Sequence, residues 1–268
     1  MRILVTNDDS CDSPLLALLI ERLAPYGTLH LVAPAAEQSW RGKSMTRYGT
    51  LKVEPIRIAG LDGHSVTGTP ADCTNLGIFE LLPEKPDLVV SGINIGSNVS
   101  LGFAMASGTL GACLEGNIAG IPGLALSQAL APEVYQQWSQ HRRFDPAELD
   151  RLGAQLDAAL PRIWARCVAP PGGDSTPTTM SVNLPPVMTD PEPVATRLAA
   201  SSYGGCFVTN DDGFHHRIRR LDIAEDPSGD AAAVNSGRVS ATLLDVAVLG
   251  QAPALFGAPP AAGPQNRA

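Results

Sequence analysis

The chain has few cysteines, and their arrangement excludes two classes of protein. Its 268 residues include five cysteines, which are scattered along the sequence and form no C-x-x-C pair. A small secreted domain held by disulfides and a zinc-ribbon protein both need paired, closely spaced cysteines. The sequence therefore predicts neither a disulfide framework nor a zinc site, and a reducing cytoplasm is the simplest location.

Positive charge and long apolar runs are also scarce. Nineteen lysines and arginines stand against 27 aspartates and glutamates, which gives a formal net charge of −8. An acidic surface does not favour a nucleic-acid polymer or an anionic membrane. Nowhere are there about 18 consecutive apolar residues, and the first apolar run is too short for a signal peptide. A small anionic substrate stays possible, because a bound metal can reverse the local charge.

A glycine fingerprint and internal repeats are missing as well. No G-x-G-x-x-G follows the first predicted strand, which argues against a dinucleotide-dependent oxidoreductase. Hydrophobic residues, by contrast, make up 44% of the chain, ample for a sizeable core.

The first 34 residues predict a strand, a helix and a strand. "RILVT" (2–6) and "LHLVAP" (29–34) are short apolar runs, and between them "SPLLALLIERLAPYG" (13–27) has a helical apolar face. Such a βαβ unit predicts an α/β fold with a parallel sheet. The following segments predict a hairpin, a helix with a capping box, a strand, a long loop, a helix and a strand: 51–68, 69–82, 87–91, 92–107, 109–120 and 123–128.

The pattern is less regular after residue 130. Residues 132–168 are mostly helical, 169–179 form a loop, 180–185 a strand, and 195–250 contain several short strands. We therefore predict a core over 1–130 that binds metal and phosphate. An extension over 131–250 completes the fold and mediates oligomerisation, and a flexible tail occupies 251–268.

The pentapeptide "VTNDD" occurs twice, in different contexts. The first copy places Asp8 and Asp9 at the carboxyl end of the first strand, the edge where open α/β sheets bind ligands. The second copy continues with glycine between two segments of β character, which is typical of a hairpin turn. We interpret the first copy as a site, and the second, with His215 and His216, as a turn leading into a solvated strand end.

The predicted long loop 92–107 carries polar groups to a helix start. Asn94 and Asn98 offer amide groups, and Ser107, Gly108 and Thr109 offer hydroxyls and free backbone N–H groups, an arrangement that binds anions.

The loop after the second strand brings a hydroxyl and two cations, Ser39, Arg41 and Lys43. They either face the same crevice or belong to an ordinary solvated loop. The oxygens of Asp8, Asp9, Asn94 and a serine are hard ligands that suit Mg²⁺, Mn²⁺ or Ca²⁺. A hard cation beside an anion-binding helix start indicates phosphate-ester chemistry.

Seven motifs in order resemble the SurE family (survival protein E), metal-dependent phosphatases of nucleoside monophosphates. They span residues 1–128 and read "RILVTNDD", "LVAPAAEQS", "GKSMT", "GTPADC", "PDLVVSGINIGSN", "SGTLGACLEG" and "GIPGLALS". Farther on, "GRVSATLLD" (237–245) is similar to a late strand of the family. The resemblance implies an α/β fold with a Rossmann-like three-layer parallel core, and a C-terminal β-rich and helical extension that is exchanged within a dimer or tetramer.

Carried over by motif, the resemblance implies one divalent metal, Mg²⁺ or Mn²⁺. Its ligands would be Asp8, Asp9, Ser39 and Asn94, and the phosphate would be held by Asn98, Ser107, Gly108 and Thr109. The attacking group is either a water held by the metal, with an aspartate as base, or an aspartate itself. We favour water, with Asp8 as the base.

Three departures from the family pattern lie near this site. Ser10 stands where a glycine is usual, Trp40 follows the serine ligand where a glycine is usual, and Ala106 replaces a tyrosine. Trp40 is either a stacking surface for a planar substrate or a loop anchor, and with Arg41 and Lys43 it forms a possible substrate rim. Phosphomonoester hydrolysis is the predicted activity. A phosphatase for a different phosphorylated metabolite and a non-catalytic nucleotide-binding protein remain as alternatives.

Overall fold

A computed structural model describes residues 1–168, 177–218 and 221–248 and shows thirteen strands among them. They are β1 Arg2–Thr6, β2 Thr28–Pro34, β3 Val53–Ile58, β4 Leu61–Val66, β5 Leu88–Ile95, β6 Gly123–Gln128, β7 Thr179–Leu184, β8 Asp190–Thr196, β9 Ser201–Ser202, β10 Phe207–Asn210, β11 Gly213–His216, β12 Asp222–Ile223 and β13 Arg238–Leu244.

One nine-stranded sheet organises the molecule, in the order β3-β4-β2-β1-β5-β6-β7-β13-β8. The six strands from β4 to β7 are parallel to one another. β3 runs antiparallel at one edge, and β13 and β8 run antiparallel to β7 at the other. The carboxyl ends of β1, β2, β5 and β6 therefore lie along the same edge.

Seven helices accompany the sheet in the described chain. They are α1 Pro14–Leu23, α2 Pro70–Leu76, α3 Ser100–Ala106, α4 Gly108–Ile118, α5 Pro132–His141, α6 Pro146–Cys167 and α7 Asp230–Asn235. α1 and α6 contribute to one apolar cluster, and α2 and α4 to another. The predicted α/β class with helices on both faces of a mostly parallel sheet is confirmed.

β1 shows why the sheet is buried on both faces. Successive side chains of a strand point to opposite faces. Ile3 and Val5 belong to the cluster with α1 and α6, and Leu4 belongs to the cluster with α2 and α4. All three are fully buried. Full burial of a side chain of this kind contributes ~1.5–3 kcal/mol, which makes a central position for this strand favourable.

The predicted capping box at the start of α2 is present. The Asp72 amide donates to Thr69 Oγ1 at 3.1 Å, and the Thr69 amide donates to Asp72 Oδ2 at 2.8 Å. Two backbone donors that the helix cannot satisfy are bound in this way, so α2 begins where the sequence predicts.

The predicted long loop 92–107 is wrong. β5 continues to Ile95, because its pairing with β6 resumes at Asn94 and Ser127 after an irregularity. Ladder hydrogen bonds use backbone groups, so polar side chains do not end the strand. Helix α3 then fills most of the remaining segment.

Other boundaries shift by less. The helix predicted over 13–27 ends at Leu23 and continues as a 3-10 turn, Ala24–Tyr26. The helical region predicted over 132–168 is two helices, separated after Arg142, which is left-handed with φ 53°. Most of the predicted loop 169–179 and the whole predicted tail 251–268 lie outside the described residues.

The second "VTNDD" forms a hairpin turn, as predicted. β10 and β11 pair antiparallel around it, with Asn210 opposite Gly213. β7, β8 and β13 all come from the predicted extension and add three strands to the core sheet. Among the described helices, none is both long enough and apolar enough to cross a membrane.

Candidate active site

A cavity of about 520 Å³ opens at the carboxyl edge of the sheet. Five residues predicted for the site line it: Asp8, Ser39, Asn94, Asn98 and Ser107. They come from the ends of three parallel strands or the segments after them. Ligands bind at this edge of open α/β sheets because loops from several strands converge there.

Asp8 is held at the cavity by three contacts. The Thr109 hydroxyl donates to Asp8 Oδ1 at 2.7 Å, and the Gln38 amide donates to the Asp8 carbonyl oxygen at 2.7 Å. A Cβ added to Gly108 would lie 2.9 Å from Asp8 Cβ, so only glycine fits there without a shift. Asp8 is 3% exposed, and this burial raises the pKa of its carboxyl, against the lowering effect of the Thr109 hydrogen bond.

Asp9 lies beside it and is fixed from β5. The Ile95 amide donates to Asp9 Oδ2 at 2.7 Å, and the residue is 8% exposed. Burial first, and the charge of Asp8 second, raise the pKa of Asp9 well above its usual range. Asp9 is not itself among the residues that line the cavity.

The two carboxylates have no positive partner. In the described parts of the chain, no lysine, arginine or histidine forms an ion pair with Asp8 or Asp9, and Arg142, whose positive charge also acts on Asp9, pairs with Glu37 instead. Two adjacent buried negative charges are costly unless a cation compensates them. The pair therefore fits a divalent cation.

Ser39 and Asn94 supply neutral oxygens to the same cavity. The Ser39 hydroxyl donates to Glu37 Oε1 at 2.9 Å, which leaves its oxygen lone pairs available. The Asn94 amide nitrogen donates to the Gly96 carbonyl at 2.8 Å, which leaves the amide oxygen as the group for a ligand. Two carboxylates, a hydroxyl and an amide oxygen suit Mg²⁺ or Mn²⁺.

The described residues contain no group of three or more His, Cys, Asp or Glu side chains that could hold a metal ion. The predicted ligand set agrees with this, because only two of its four members are carboxylates.

The start of α4 faces the same place. Ser107 is its N-cap, and the Ser107 hydroxyl accepts from the Leu110 amide at 3.1 Å. The positive end of a helix and its free N–H groups attract an anion. Because α4 has 11 residues and begins beside Asp8, its start can bind a phosphate next to the carboxylate pair.

Thr109 and Asn98 take part in an internal network. The Asn98 amide nitrogen donates to Thr109 Oγ1 at 3.3 Å and to Ser127 Oγ at 2.9 Å. The Thr109 hydroxyl in turn donates to Asp8 Oδ1. The structure thus places Thr109 as a support for Asp8. Asn98 lines the cavity, whereas Gly108 and Thr109 are not among the lining residues.

The three residues of the predicted substrate rim lie in different places. Trp40 lines the cavity, and Arg41 is exposed and does not. Lys43 lies against α4, with its Nζ 2.5 Å from Glu115 Oε2. This contact is an ion pair without the alignment of a hydrogen bond.

Several lining residues were not singled out from the sequence. Glu37 accepts from Ser39 and pairs with Arg142 Nη1 at 2.7 Å. Phe103, Tyr135 and Leu221 give the cavity an apolar side. Glu37 stands two residues before Ser39, a predicted ligand, and this closeness in sequence could have identified it. Phe103, Tyr135 and Leu221 come from distant segments and belong to no motif.

Two of the unusual residues adopt left-handed backbone conformations. Ser10 has φ 80° and Trp40 has φ 63°. The Asn7 amide nitrogen donates to the Ser10 carbonyl at 2.8 Å, which supports the turn after Asp9. The chain therefore keeps a positive φ at Ser10 without glycine, at a conformational cost that local contacts offset.

A family sequence model described as "Survival protein SurE" matches residues 3–204. A 5'-nucleotidase SurE of Methanocella arvoryzae is 36% identical over 219 residues, covering 81% of this chain and 77% of the relative. Another of Geobacter sulfurreducens is 36% identical over 251 residues, covering 91% and 87%.

A solved structure has the same fold. The crystal structure of the SurE protein from Aquifex aeolicus superposes with a TM-score of 0.65 at 26% identity, covering 93% of this chain and 95% of that one.

Proposed function

The chain belongs to the SurE family, and on that premise we propose that it is a divalent-metal-dependent phosphomonoesterase that hydrolyses nucleoside monophosphates to a nucleoside and phosphate. One observation carries the proposal. Two buried carboxylates, Asp8 and Asp9, have no ion-pair partner among the described residues, and Asp8 lines the cavity beside the start of α4. Relatives named 5'-nucleotidase support the nucleotide as substrate.

In this proposal Asp8, Asp9, Ser39 and Asn94 hold one Mg²⁺ or Mn²⁺. The metal, when bound, supplies a Lewis acid for a phosphoryl oxygen and lowers the pKa of a coordinated water. Asn98 and Ser107 line the phosphate side of the site, and Gly108 and Thr109 contribute to it through the backbone at the start of α4. The start of α4 orients the phosphate and compensates part of its charge.

Asp8 acts as the general base. The Thr109 hydroxyl donates to Asp8 Oδ1 at 2.7 Å and fixes the orientation of the carboxylate that would take a proton from the attacking water. The bond between the water oxygen and phosphorus would then form as the ester P–O bond breaks, and the leaving nucleoside oxygen would keep the electron pair of that bond and take up a proton from solvent.

The proposed protein is a homodimer or homotetramer that works in the cytoplasm on a small phosphorylated substrate. Exposed apolar side chains around α3 and the β10–β11 hairpin support association: Leu101, Met105, Phe207 and Phe214.

The experiment is phosphate release from nucleoside 5'- and 3'-monophosphates, sugar phosphates and p-nitrophenyl phosphate, with Mg²⁺, Mn²⁺ or EDTA. Asp9→Asn is the test variant, and Asp12→Asn, an exposed aspartate nearby, is the matched control. We expect EDTA-sensitive turnover of nucleotides that Asp9→Asn loses and Asp12→Asn keeps.

Other results would redirect the proposal. Turnover of p-nitrophenyl phosphate or sugar phosphates, without nucleotides, would keep the chemistry and indicate a different metabolite. Nucleotide binding with no turnover under either metal would contradict the enzyme and indicate a binding protein.

A further inference from the structure

Trp40 places an aromatic ring next to the reacting end of the cavity. It directly follows Ser39, a proposed metal ligand, and both residues line the cavity with Asp8. Trp40 is 39% exposed, so a large part of the residue is accessible. A phosphate held by the site would therefore bring its ester substituent close to this residue.

Other rings hold the indole in position. Its centroid lies 5.8 Å from that of Phe103 and 5.5 Å from that of Tyr203, both in edge arrangements. The ring of His216 lies 4.6 Å away, at an interplanar angle of 59°. The loop is also anchored by the Gly42 amide, which donates to the Ala106 carbonyl at 2.9 Å. A side chain held in this way loses little entropy when a ligand binds.

The clustering is notable in a chain with few aromatic residues. Only 5% of the residues are Phe, Trp or Tyr. Trp40, Phe103 and Tyr135 nevertheless all line this cavity. About 520 Å³ is also far more space than a phosphate group needs, so the cavity has room for a substituent with a planar ring.

We propose that Trp40 is a specificity residue, whose indole stacks on the nucleobase of a nucleoside monophosphate. The inference rests on the proposed function for the phosphate end of the substrate. Stacking on an aromatic ring tolerates any base, because every base has a π-face. Trp40 therefore favours nucleotides over phosphate esters that lack a planar ring, and does not choose among bases.

The test compares adenosine 5'-monophosphate with ribose 5-phosphate, which differ by the base. In Trp40→Leu we expect the ratio of their kcat/KM values, nucleotide over sugar phosphate, to fall on the order of tenfold, the effect of losing one base stack. Trp40→Phe, which keeps an aromatic face, retains most of the ratio. Phe79→Leu, which removes an exposed ring that does not line the cavity, keeps the parental ratio.

An unchanged ratio in Trp40→Leu would overturn the inference, even if both kcat/KM values fell. Loss of a residue that only anchors the loop would lower both values alike. Equal ratios in Trp40→Leu and Trp40→Phe would overturn it too.

Adenosine binding, measured by isothermal titration calorimetry, separates this inference from the proposed function, because adenosine has no phosphate. We expect Trp40→Leu to weaken adenosine binding on the order of tenfold and Phe79→Leu to leave it unchanged. Trp40-dependent adenosine binding in a protein that hydrolyses no phosphate ester would refute the proposed function and support the base contact. Hydrolysis of phosphate esters, together with adenosine binding that Trp40→Leu does not change, would support the proposed function and refute the base contact.

Discussion

Thr109 donates its hydroxyl to Asp8 Oδ1 at 2.7 Å and accepts from the Asn98 amide at 3.3 Å. Both ends of the hydroxyl are therefore used inside the protein. The residue is fully buried, and the chain of hydrogen bonds continues to Ser127 on β6. In this arrangement Thr109 is a positioning residue, which orients the carboxylate that we propose as the base.

Replacing Thr109 by valine keeps the shape of the side chain and removes the hydroxyl. A hydrogen bond to a charged group is worth about 1.5–3 kcal/mol, so we expect kcat to fall roughly 10- to 100-fold, with a smaller change in KM. Steady-state kinetics on a nucleoside monophosphate measures both values. Thr109→Ser, which retains the hydroxyl, is the control and should keep most of the activity. Equal losses in valine and serine variants would contradict the positioning role.

At the scale of elements, the loop between β2 and β3 is joined to α4. Lys43 Nζ lies 2.5 Å from Glu115 Oε2, and Glu115 also accepts from the Asn75 amide at 2.8 Å. Glu115 is almost fully buried, and a Cβ on Gly111 would lie 2.2 Å from the Gly42 carbonyl oxygen. This close packing and the ion pair together hold the loop that carries Ser39 and Trp40.

Lys43→Met leaves the buried Glu115 carboxylate without its cation. We expect the free energy of unfolding to fall by about 1–3 kcal/mol, measured by urea denaturation. Lys52→Met removes an exposed lysine elsewhere and should have little effect. The double variant Lys43→Met with Glu115→Leu should recover much of the loss, because an apolar pair leaves no buried charge. A double variant no more stable than Lys43→Met would contradict this reading.

A second contact between elements depends on pH. The Arg2 amide donates to Asp87 Oδ2 at 2.7 Å and the Arg2 guanidinium donates to Asp87 Oδ1 at 3.0 Å, which ties β1 to the residue before β5. The hydrogen bond from the Arg2 side chain, first, and the one from its backbone lower the pKa of Asp87 below its usual value of 3.8.

A lowered pKa in the folded state stabilises the fold above the pKa of the unfolded chain, and this stabilisation is lost as pH falls through the folded value. We therefore expect Asp87→Asn to be less stable than the parent at pH 7, with the difference shrinking as the pH falls below 3.8 and through the lowered pKa of Asp87. Urea denaturation across this range measures it. Asp62→Asn removes a more exposed ion pair with Arg57 and should change stability little at any pH. A difference for Asp87→Asn that grows in acid would contradict the assignment.

At the scale of the whole molecule, association is the main expectation. Met105 and Phe214 are 66% and 77% exposed, and both are apolar. Exposed apolar side chains that form a patch are typical of an interface, and the elements that carry these two, α3 and β11, both contact Trp40. Size-exclusion chromatography with light scattering should give the mass of a dimer or a tetramer. The mass of a single chain would refute the proposed oligomer.

Much of the fold could be predicted because it depends on local patterns. The apolar run of β1, the capping box of α2, and the hairpin at the second "VTNDD" all follow from neighbouring residues. β5 could not be bounded in this way. Its second half contains Gly92 and Asn94, residues that are typical of loops, and pairing with β6 keeps them in the strand.

The candidate site also combines residues that local motifs predict with contacts that they do not predict. Asp8, Asp9, Ser39, Asn94 and Ser107 could be proposed from motifs at strand ends and a helix start. The support of Asp8 by Thr109 spans 101 positions in sequence, and the contact of Lys43 with Glu115 joins a loop to a helix far along the chain. No local pattern encodes which of two distant polar groups will meet.

The sequence by itself determined the α/β class, the strand ends that carry the proposed ligands, and the resemblance to the SurE family, because periodicity, capping and motifs are local properties of the chain. Only the tertiary structure decided that Asp8 and Asp9 are buried without a cation, that Lys43 supports a loop, and that Trp40 joins rings from α3, β11 and the segment after β9 at the cavity. Burial and charge compensation depend on every element that packs around a residue, so they are settled only when the chain has folded.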